Sequence, residues 1–312
     1  VAKPTLNEPG QQTKDLHYRI NISKFSLFSN EVTMDLWFSE THPIGTRFSF
    51  KVQNVLHHEK SPYQEMDIIA TENFGNVMLL DDKIMLTEKD EFVYHEMIVH
   101  VPMAVNPGAK DILIIGGGDG GTARELLKYK SVAHIDLVDI DEMVSRAAKL
   151  YFPQLAPAFA DSRLHTHYTD GIRFVAETAQ KYDLIIIDST DPIGPGEGLF
   201  TSDFFRNCKQ LLNAGGCLIN QSENPQWDDA IVRSVAQKLS NIFANYAIYQ
   251  AFIPVYPSGQ WLFSFASDSR HPIDDFDAAK WQDLNLTTRY YNTDVHTAAF
   301  ALPNFVRKMI DG

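Results

Sequence analysis

The sequence predicts an α/β protein: a doubly wound, largely parallel sheet preceded by a small antiparallel β-domain. Three observations carry this. Between about residues 31 and 105, short β-rich runs are broken by turn sequences. From about residue 110, continuous apolar runs such as DILII and DLIIID alternate with helical stretches, the pattern of strands buried on both faces. A glycine loop at 114–125 lies between the first of those strands and its helix.

Residues 1–30 are polar, with Pro4, Pro9 and Gly10, and read as an extension of little order. They contain no apolar signal-peptide core, and no run anywhere approaches the 18 apolar residues of a membrane span. The β-domain, 31–105, has strand runs RFSFKVQNVLHHEK, YQEMDIIATE and NVMLLDDKIMLTE, with turns at SPYQ, NFGN and LDDK. It ends in an amphipathic helix, EFVYHEMIVHVPMAV, with Phe92, Met97, Ile98 and Val101 on its apolar face. Pro102 and the NPG at 106–108 are expected to close it. The domain from 106 to 312 reads DILII strand, TARELLKYK helix, HIDLVDI strand, DEMVSRAAKLYF helix, RLHTHYT strand, GIRFVAETAQ helix and DLIIID strand. A Gly/Pro loop, the SDFFRNCKQLL helix, the GCLINQ strand and the DDAIVRSVAQKLSNIF helix follow, and YAIYQAF and GQWLFSFAS form a closing strand pair. The stretch 270–312 is mixed and gives no assignment.

The chain has 312 residues, 44% hydrophobic and 21% charged, which is ordinary globular usage and excludes a disordered or low-complexity chain. Its 27 basic and 40 acidic residues give a net charge of −13, which argues against non-specific nucleic-acid binding and suits a cationic ligand. With only Cys208 and Cys217, a disulfide scaffold and a cysteine zinc site are excluded, and a reducing, cytoplasmic compartment is expected. No metal is expected. His57–His58, His95–His100 and His165–His167 lack metal-site spacing, and HEMIVH is not HExxH. Ser189 and Ser258 lack the GxSxG context of a serine hydrolase.

In IIGGGDGGTARE, Gly116, Gly118 and Gly121 satisfy GxGxxG, and Asp139 follows at the end of the next strand, formally a dinucleotide fingerprint. Asp119 argues against it, because a carboxylate inside the loop repels a pyrophosphate and attracts a cation. An adenosine ligand bearing a sulfonium fits better. Decarboxylated S-adenosylmethionine fits better than the parent if Asp119 faces the amino-acid end. Asp119 as a simple helix cap remains open.

A second acidic site follows the later strand, in IIIDSTDPIGPGEGLF (185–200). Asp188 and Asp191 lie where ligands of open α/β sheets bind, and Tyr94, Tyr256 and Gln221 are candidates to complete a pocket for an alkyl ammonium. An ordinary Asp-Pro turn is the alternative.

YQE (63–65), FGNVMLLDD (74–82), TEKDEFVYHEM (87–97), IIGGGDGG (114–121), TDG (169–171), DSTDPIGPGEGLF (188–200) and YPSGQ (256–260) together resemble the spermidine synthases, in family order over about residues 50–266. The resemblance implies a Rossmann-like, methyltransferase-type sheet with a small N-terminal β-domain, assembled as a dimer or tetramer. It implies aminopropyl transfer from decarboxylated S-adenosylmethionine, a co-substrate, with no cofactor. The acceptor implied is putrescine, or else agmatine, cadaverine or spermidine. By position, Asp119 and Gln64 would hold the aminopropyl end, Asp139 the ribose, and Asp170 and Gly171 the adenine, with Gly116 and Pro195 completing the nucleoside set. Asp188 would act on the attacking amine with Tyr94 beside it. Asp191, Gln221 and Tyr256, with His95, would bind the acceptor. A charged Asp191 is expected to raise the pKa of Asp188. The sequence departs from the family at Asp139, usually Glu, at His95, where some members have Gln, and in SENPQWDD after Gln221. A methyltransferase, a NAD-dependent oxidoreductase and a non-catalytic polyamine binder are the competing classes; Asp119 disfavours the oxidoreductase, and together with DSTDP it disfavours the methyltransferase.

Overall fold

The computed structural model describes residues 35–192 and 194–311, without the side chains of 195 and 311, so the expected extension over 1–30 lies outside the described residues. Alternating apolar residues build the first sheet, whose strands run in simple sequence order: β1 (Leu36–Thr41), β2 (Arg47–Lys60), β3 (Glu65–Thr71), β4 (Gly75–Leu80) and β5 (Lys83–Thr87). Every neighbouring pair is antiparallel, and β2 bends where its register to β3 slips between Val52 and Asn54 and between Val55 and His57. The β4–β5 turn is closed by Asp81 and Asp82, both left-handed (φ 48° and 63°), as a tight two-residue hairpin requires.

Next comes α1 (Glu91–Val105), which departs from the amphipathic expectation: every residue but Phe92 is buried. Its apolar side chains share one core with Phe50, Ile69 and Val77 of the small sheet and with Ile112, Ile114 and Leu126 of the following unit. With protein on all sides, its polar residues must find protein partners. Glu91 pairs with His95 and Arg124, and His100 with Tyr129 and Glu125. Glu96 accepts from the backbone N–H groups of Arg289, Tyr290 and Tyr291 at 2.7–2.8 Å. Pro102 does not end the helix as expected; the helix runs through it to Val105, and tight packing compensates for the single backbone bond that proline cannot donate.

The second sheet is built by β6 (Asp111–Gly116), β7 (His134–Asp139), β8 (Leu164–Tyr168), β9 (Tyr182–Asp188), β10 (Leu212–Gln221), β11 (Asn245–Phe252) and β12 (Gln260–Ser267) in the order β11-β12-β10-β9-β6-β7-β8. The first five strands are mutually parallel, and the β11–β12 hairpin adds an antiparallel edge. Helices α2 (Gly121–Leu127), α3 (Glu142–Tyr151), α4 (Gly171–Glu177), α5 (Ser202–Leu211) and α6 (Asp229–Ile242) connect them. After β6 the chain winds outward through β7 and β8, then returns to place β9 on the other side of β6. Strand order therefore reverses between β6 and β9, at the register pair Gly116–Asp188, and this is where an open α/β sheet offers its crevice. The unassigned terminal stretch forms α7 (Ala278–Asp283), α8 (Thr293–Ala299) and α9 (Asn304–Asp311). Among the described residues no helix is long and apolar enough to cross a membrane.

Candidate active site

A cavity of about 580 Å³ opens above the strand reversal and is walled by both sheets and α1. Its floor is a backbone crossing. Gly117 N–H donates to the Asp188 carbonyl at 2.8 Å, and a Cβ on Gly116 (φ +83°) would lie 2.1 Å from that same oxygen. Only glycine allows both the left-handed turn and this approach. Gly116→Ala should therefore cost at least about 2 kcal/mol of stability and most of the turnover. A melt showing unchanged Tm would contradict that account.

Two charge groups occupy the cavity. The first surrounds Asp188. Its carboxylate accepts from Tyr94 Oη and Thr122 Oγ1, both at 2.7 Å. Burial raises its pKa, and the charge of Asp119 raises it further. The neighbouring like charge is thus Asp119, not Asp191 as expected, because the glycine loop and the β9 loop meet across the reversal. Burial and Asp188 also hold Tyr94 well above the usual phenol range, so Tyr94 stays a neutral donor. Asp119 accepts from Gly121 N–H at 2.7 Å and faces His95 Nε2 at 3.3 Å. The N-cap of α2 is Gly120, so Asp119 is not the helix cap of the alternative reading; it closes a turn one residue earlier and lines the cavity. His95 lies between Asp119 and Glu91, whose Oε2 is 2.7 Å from Nδ1. Burial disfavours its charge, but Asp119 and Glu91 outweigh burial and push its pKa up to about 10. His95 is therefore an imidazolium held between Asp119 and Glu91, rather than beside Asp191 and Gln221 with which it was grouped in the sequence, and its charge also acts on Asp188. Arg124 grips Glu91 with two guanidinium nitrogens at 2.6 and 2.9 Å, completing a chain of alternating charge.

Of the expected nucleoside residues, Gln64, Gly116, Asp119, Asp139, Asp170 and Gly171 line the cavity. Asp139 accepts from Gly118 N–H and Asp141 N–H at 2.9 and 2.8 Å, and burial pushes its pKa up to about 6. Gln64 Nε2 donates to Asp141 at 3.0 Å, which ties the small sheet to the end of β7. Asp170 caps α4 through Ile172 N–H at 2.8 Å, and Gly171 sits where a Cβ would press on Ile115 at 2.7 Å. Pro195 falls in the 3-10 turn Gly194–Phe200, its side chain outside the described residues.

The second charge group surrounds Asp191. Gln221 forms a reciprocal pair with Glu223: its Nε2 donates to Glu223 Oε1 at 2.9 Å and its Oε1 accepts from Glu223 N–H at 3.2 Å. Glu223 is buried and strained, with φ +70°. Burial first, and the adjacent Asp191 charge second, drive its pKa well above the usual carboxylate value, which favours its protonated form beside Asp191. Tyr256 donates to the Met85 carbonyl at 2.7 Å, and its ring lies 6.0 Å from that of Tyr94, between the two groups. Ser189 Oγ, Asp90 Oδ2 and Trp261 Nε1 are buried in the cavity wall without a protein partner, a set of groups suited to a polar ligand.

Sequence reasoning missed Thr122, Glu91, Glu223 and the small-sheet residues of the wall. Glu91 carried a usable signal, four residues before His95 on one helix face. Among the described residues, no three His, Cys, Asp or Glu side chains converge as a metal site would require.

A sequence profile described as "Spermine/spermidine synthase domain" matches residues 91–276, and one described as "Spermidine synthase tetramerisation domain" matches residues 36–88. The chain is 51% identical over 280 residues to a polyamine aminopropyltransferase of Alkaliphilus metalliredigens, covering 89% of this chain and 99% of that one. It is 49% identical over 281 residues to the one of Clostridium beijerinckii, with the same coverage. Its fold superposes on a spermidine synthase crystallised with the transition-state analogue AdoDATO with a TM-score of 0.87 at 40% identity, covering 88% of this chain and 95% of that one. It also superposes on the spermidine synthase from Thermotoga maritima with a TM-score of 0.84 at 39% identity, covering 88% and 94%.

Proposed function

The chain belongs to the spermine/spermidine synthase family, and from that premise we propose that it transfers the aminopropyl group of decarboxylated S-adenosylmethionine to putrescine, giving spermidine and methylthioadenosine. The observation that carries this reading is the pairing of Asp188 with Tyr94 at the strand reversal, in one cavity with a second carboxyl group at Asp191. The two charge groups match the two nitrogens of a diamine, one to be deprotonated and one to stay charged.

In the reaction, the lone pair of a neutral amine attacks the methylene carbon bound to the sulfonium. The C–N bond forms as the C–S bond breaks, and the electron pair leaves on a neutral thioether. Sulfonium is a good leaving group, so orientation and amine deprotonation are the tasks left to the protein. A free alkylamine resembles lysine, with a pKa of about 10.4, and is almost wholly protonated at neutral pH. Asp188 takes that proton. Its raised pKa makes it a better base than an exposed aspartate, and the hydroxyls of Tyr94 and Thr122 hold its two oxygens in place. Asp191 keeps the distal ammonium, with Gln221 and Tyr256 beside it.

On the nucleoside side, Asp139 takes the ribose hydroxyls, Asp170 and Gly171 the adenine edge with Gly116 and Pro195, and Asp119 with Gln64 the aminopropyl ammonium. The imidazolium of His95 compensates part of the Asp119 charge, and Glu91 and Arg124 fix its orientation. A carboxylate on the ligand would meet Asp119 and Asp188, which favours the decarboxylated nucleoside. The match to a tetramerisation domain supports a homo-oligomer, a dimer or tetramer. Two free, buried cysteines suit a reducing cytoplasm.

The test is product analysis by mass spectrometry. The protein is incubated at pH 8 with decarboxylated S-adenosylmethionine and an equimolar mixture of putrescine, cadaverine, agmatine and spermidine. One dominant product, spermidine, with equimolar methylthioadenosine is expected. A different dominant product reassigns the acceptor. Nucleoside binding without any product would mean a non-catalytic relative.

A further inference from the structure

Beyond Asp191 the cavity ends on a wall built by the small sheet, and that wall carries a lysine. Lys83 opens β5 directly after the Asp81–Asp82 turn, and its side chain lines the cavity at 33% exposure. Its ammonium lies 3.4 Å from Glu40 Oε1 on β1. Glu40 is buried behind it, accepts from Ile84 N–H at 3.0 Å, and has His42 Nε2 3.0 Å from the same Oε1. The His42 ring rests 4.9 Å from that of Trp227. A buried carboxylate thus holds the lysine from behind at the cavity wall that Lys83 lines.

The charges fall in sequence along the cavity. Asp188 has Asp119 and His95 as its charged neighbours, whereas Asp191 and Asp228 both lie in the field of Lys83 and His42. Tyr256 stands between the ends: its ring lies 6.0 Å from that of Tyr94, which donates to Asp188, and its hydroxyl donates to the Met85 carbonyl, two residues along β5 from Lys83. A diamine with its reacting nitrogen at Asp188 and its other nitrogen at Asp191 stops short of the wall. A longer acceptor continues into it. Glu40 cannot receive the extra ammonium unless Lys83 leaves.

Resting on the reading of Asp188 as the reaction end, we infer that Lys83 is a specificity-determining residue. It stands where the third nitrogen of a triamine acceptor has to lie, and like-charge repulsion there restricts the enzyme to diamines. Lys83 supplies internally the charge that a third amine would otherwise bring.

The experiment compares kcat/KM for putrescine and for spermidine as acceptors in the full chain, for the wild type, Lys83→Met, Lys83→Gln and Lys83→Arg. Removing the charge should raise the spermidine-to-putrescine ratio by about tenfold or more, and Lys83→Arg should keep the wild-type ratio. Turnover of putrescine by each variant is the internal check on folding, and the two neutral replacements guard against the failure of either. A ratio within twofold of wild type in both neutral variants overturns the proposal and leaves the aminopropyltransferase reading intact. Absence of product from the wild type with either amine overturns that reading, and this proposal with it.

Discussion

Asp188→Asn lowers kcat by about 10²- to 10⁴-fold, the usual worth of a positioned general base, while nucleoside affinity changes only a few-fold. The amide keeps the shape of the carboxylate and can still accept from Tyr94 or Thr122, but cannot take a proton from the attacking ammonium. The variant also separates catalysis from stability. Burial and Asp119 raise the folded-state pKa of Asp188, so its ionised form is disfavoured by folding. That cost is present in full above the folded-state pKa and is relieved as pH falls through it. At pH 8, Asp188→Asn should therefore melt at a higher temperature than wild type in the absence of substrate. In wild type, the acidic limb of kcat/KM should lie above the ordinary aspartate range for the same reason. Steady-state kinetics and thermal melts across pH 5–9 check both, and a variant with near-normal kcat would exclude Asp188 as the base.

Asp191→Asn should act on the other kinetic constant. It raises the acceptor KM by roughly 30-fold or more, corresponding to about 2 kcal/mol for a buried charge partner, and changes kcat much less. The proton held by Glu223 limits the loss. With Asp191 neutral, burial still raises the Glu223 pKa but the second cause, the Asp191 charge, is gone, so Glu223 ionises more readily beside a bound ammonium and recovers part of the binding. The double variant Asp191→Asn/Glu223→Gln should then bind putrescine far more weakly than either single one. Additive single effects would remove this coupling, and a loss confined to nucleoside affinity would move Asp191 out of the acceptor end altogether.

The parts legible in the sequence are those encoded locally. Apolar runs such as DILII and DLIIID specify strands buried on both faces, and IIGGGDGG and DSTDP mark loops whose place follows once strand order is known. Residues whose role depends on distant segments were not legible. His95 follows Tyr94 directly, but the helix turns it toward Asp119, while Tyr94 meets Asp188. Asp191 is three residues from Asp188, yet its charged neighbours come from the small sheet, and Asp119, 69 positions away, acts on Asp188 instead. Pro102 looks like a stop signal because local sequence does not report packing on every side of α1. The terminal helices were invisible because each spans two turns or so, too short for a period to register.

The burial of α1 has a consequence for how the molecule breathes. This helix carries Tyr94 and His95, shares its core with both sheets, and through Glu96 holds the backbone of residues 289–291. No local opening can release it without exposing apolar surface in three parts of the chain at once. Its amides should thus be among the last to exchange with solvent, near the global unfolding limit. The hydroxyl that Tyr94 directs at Asp188 is thereby carried by an element whose opening costs nearly as much as unfolding the whole molecule.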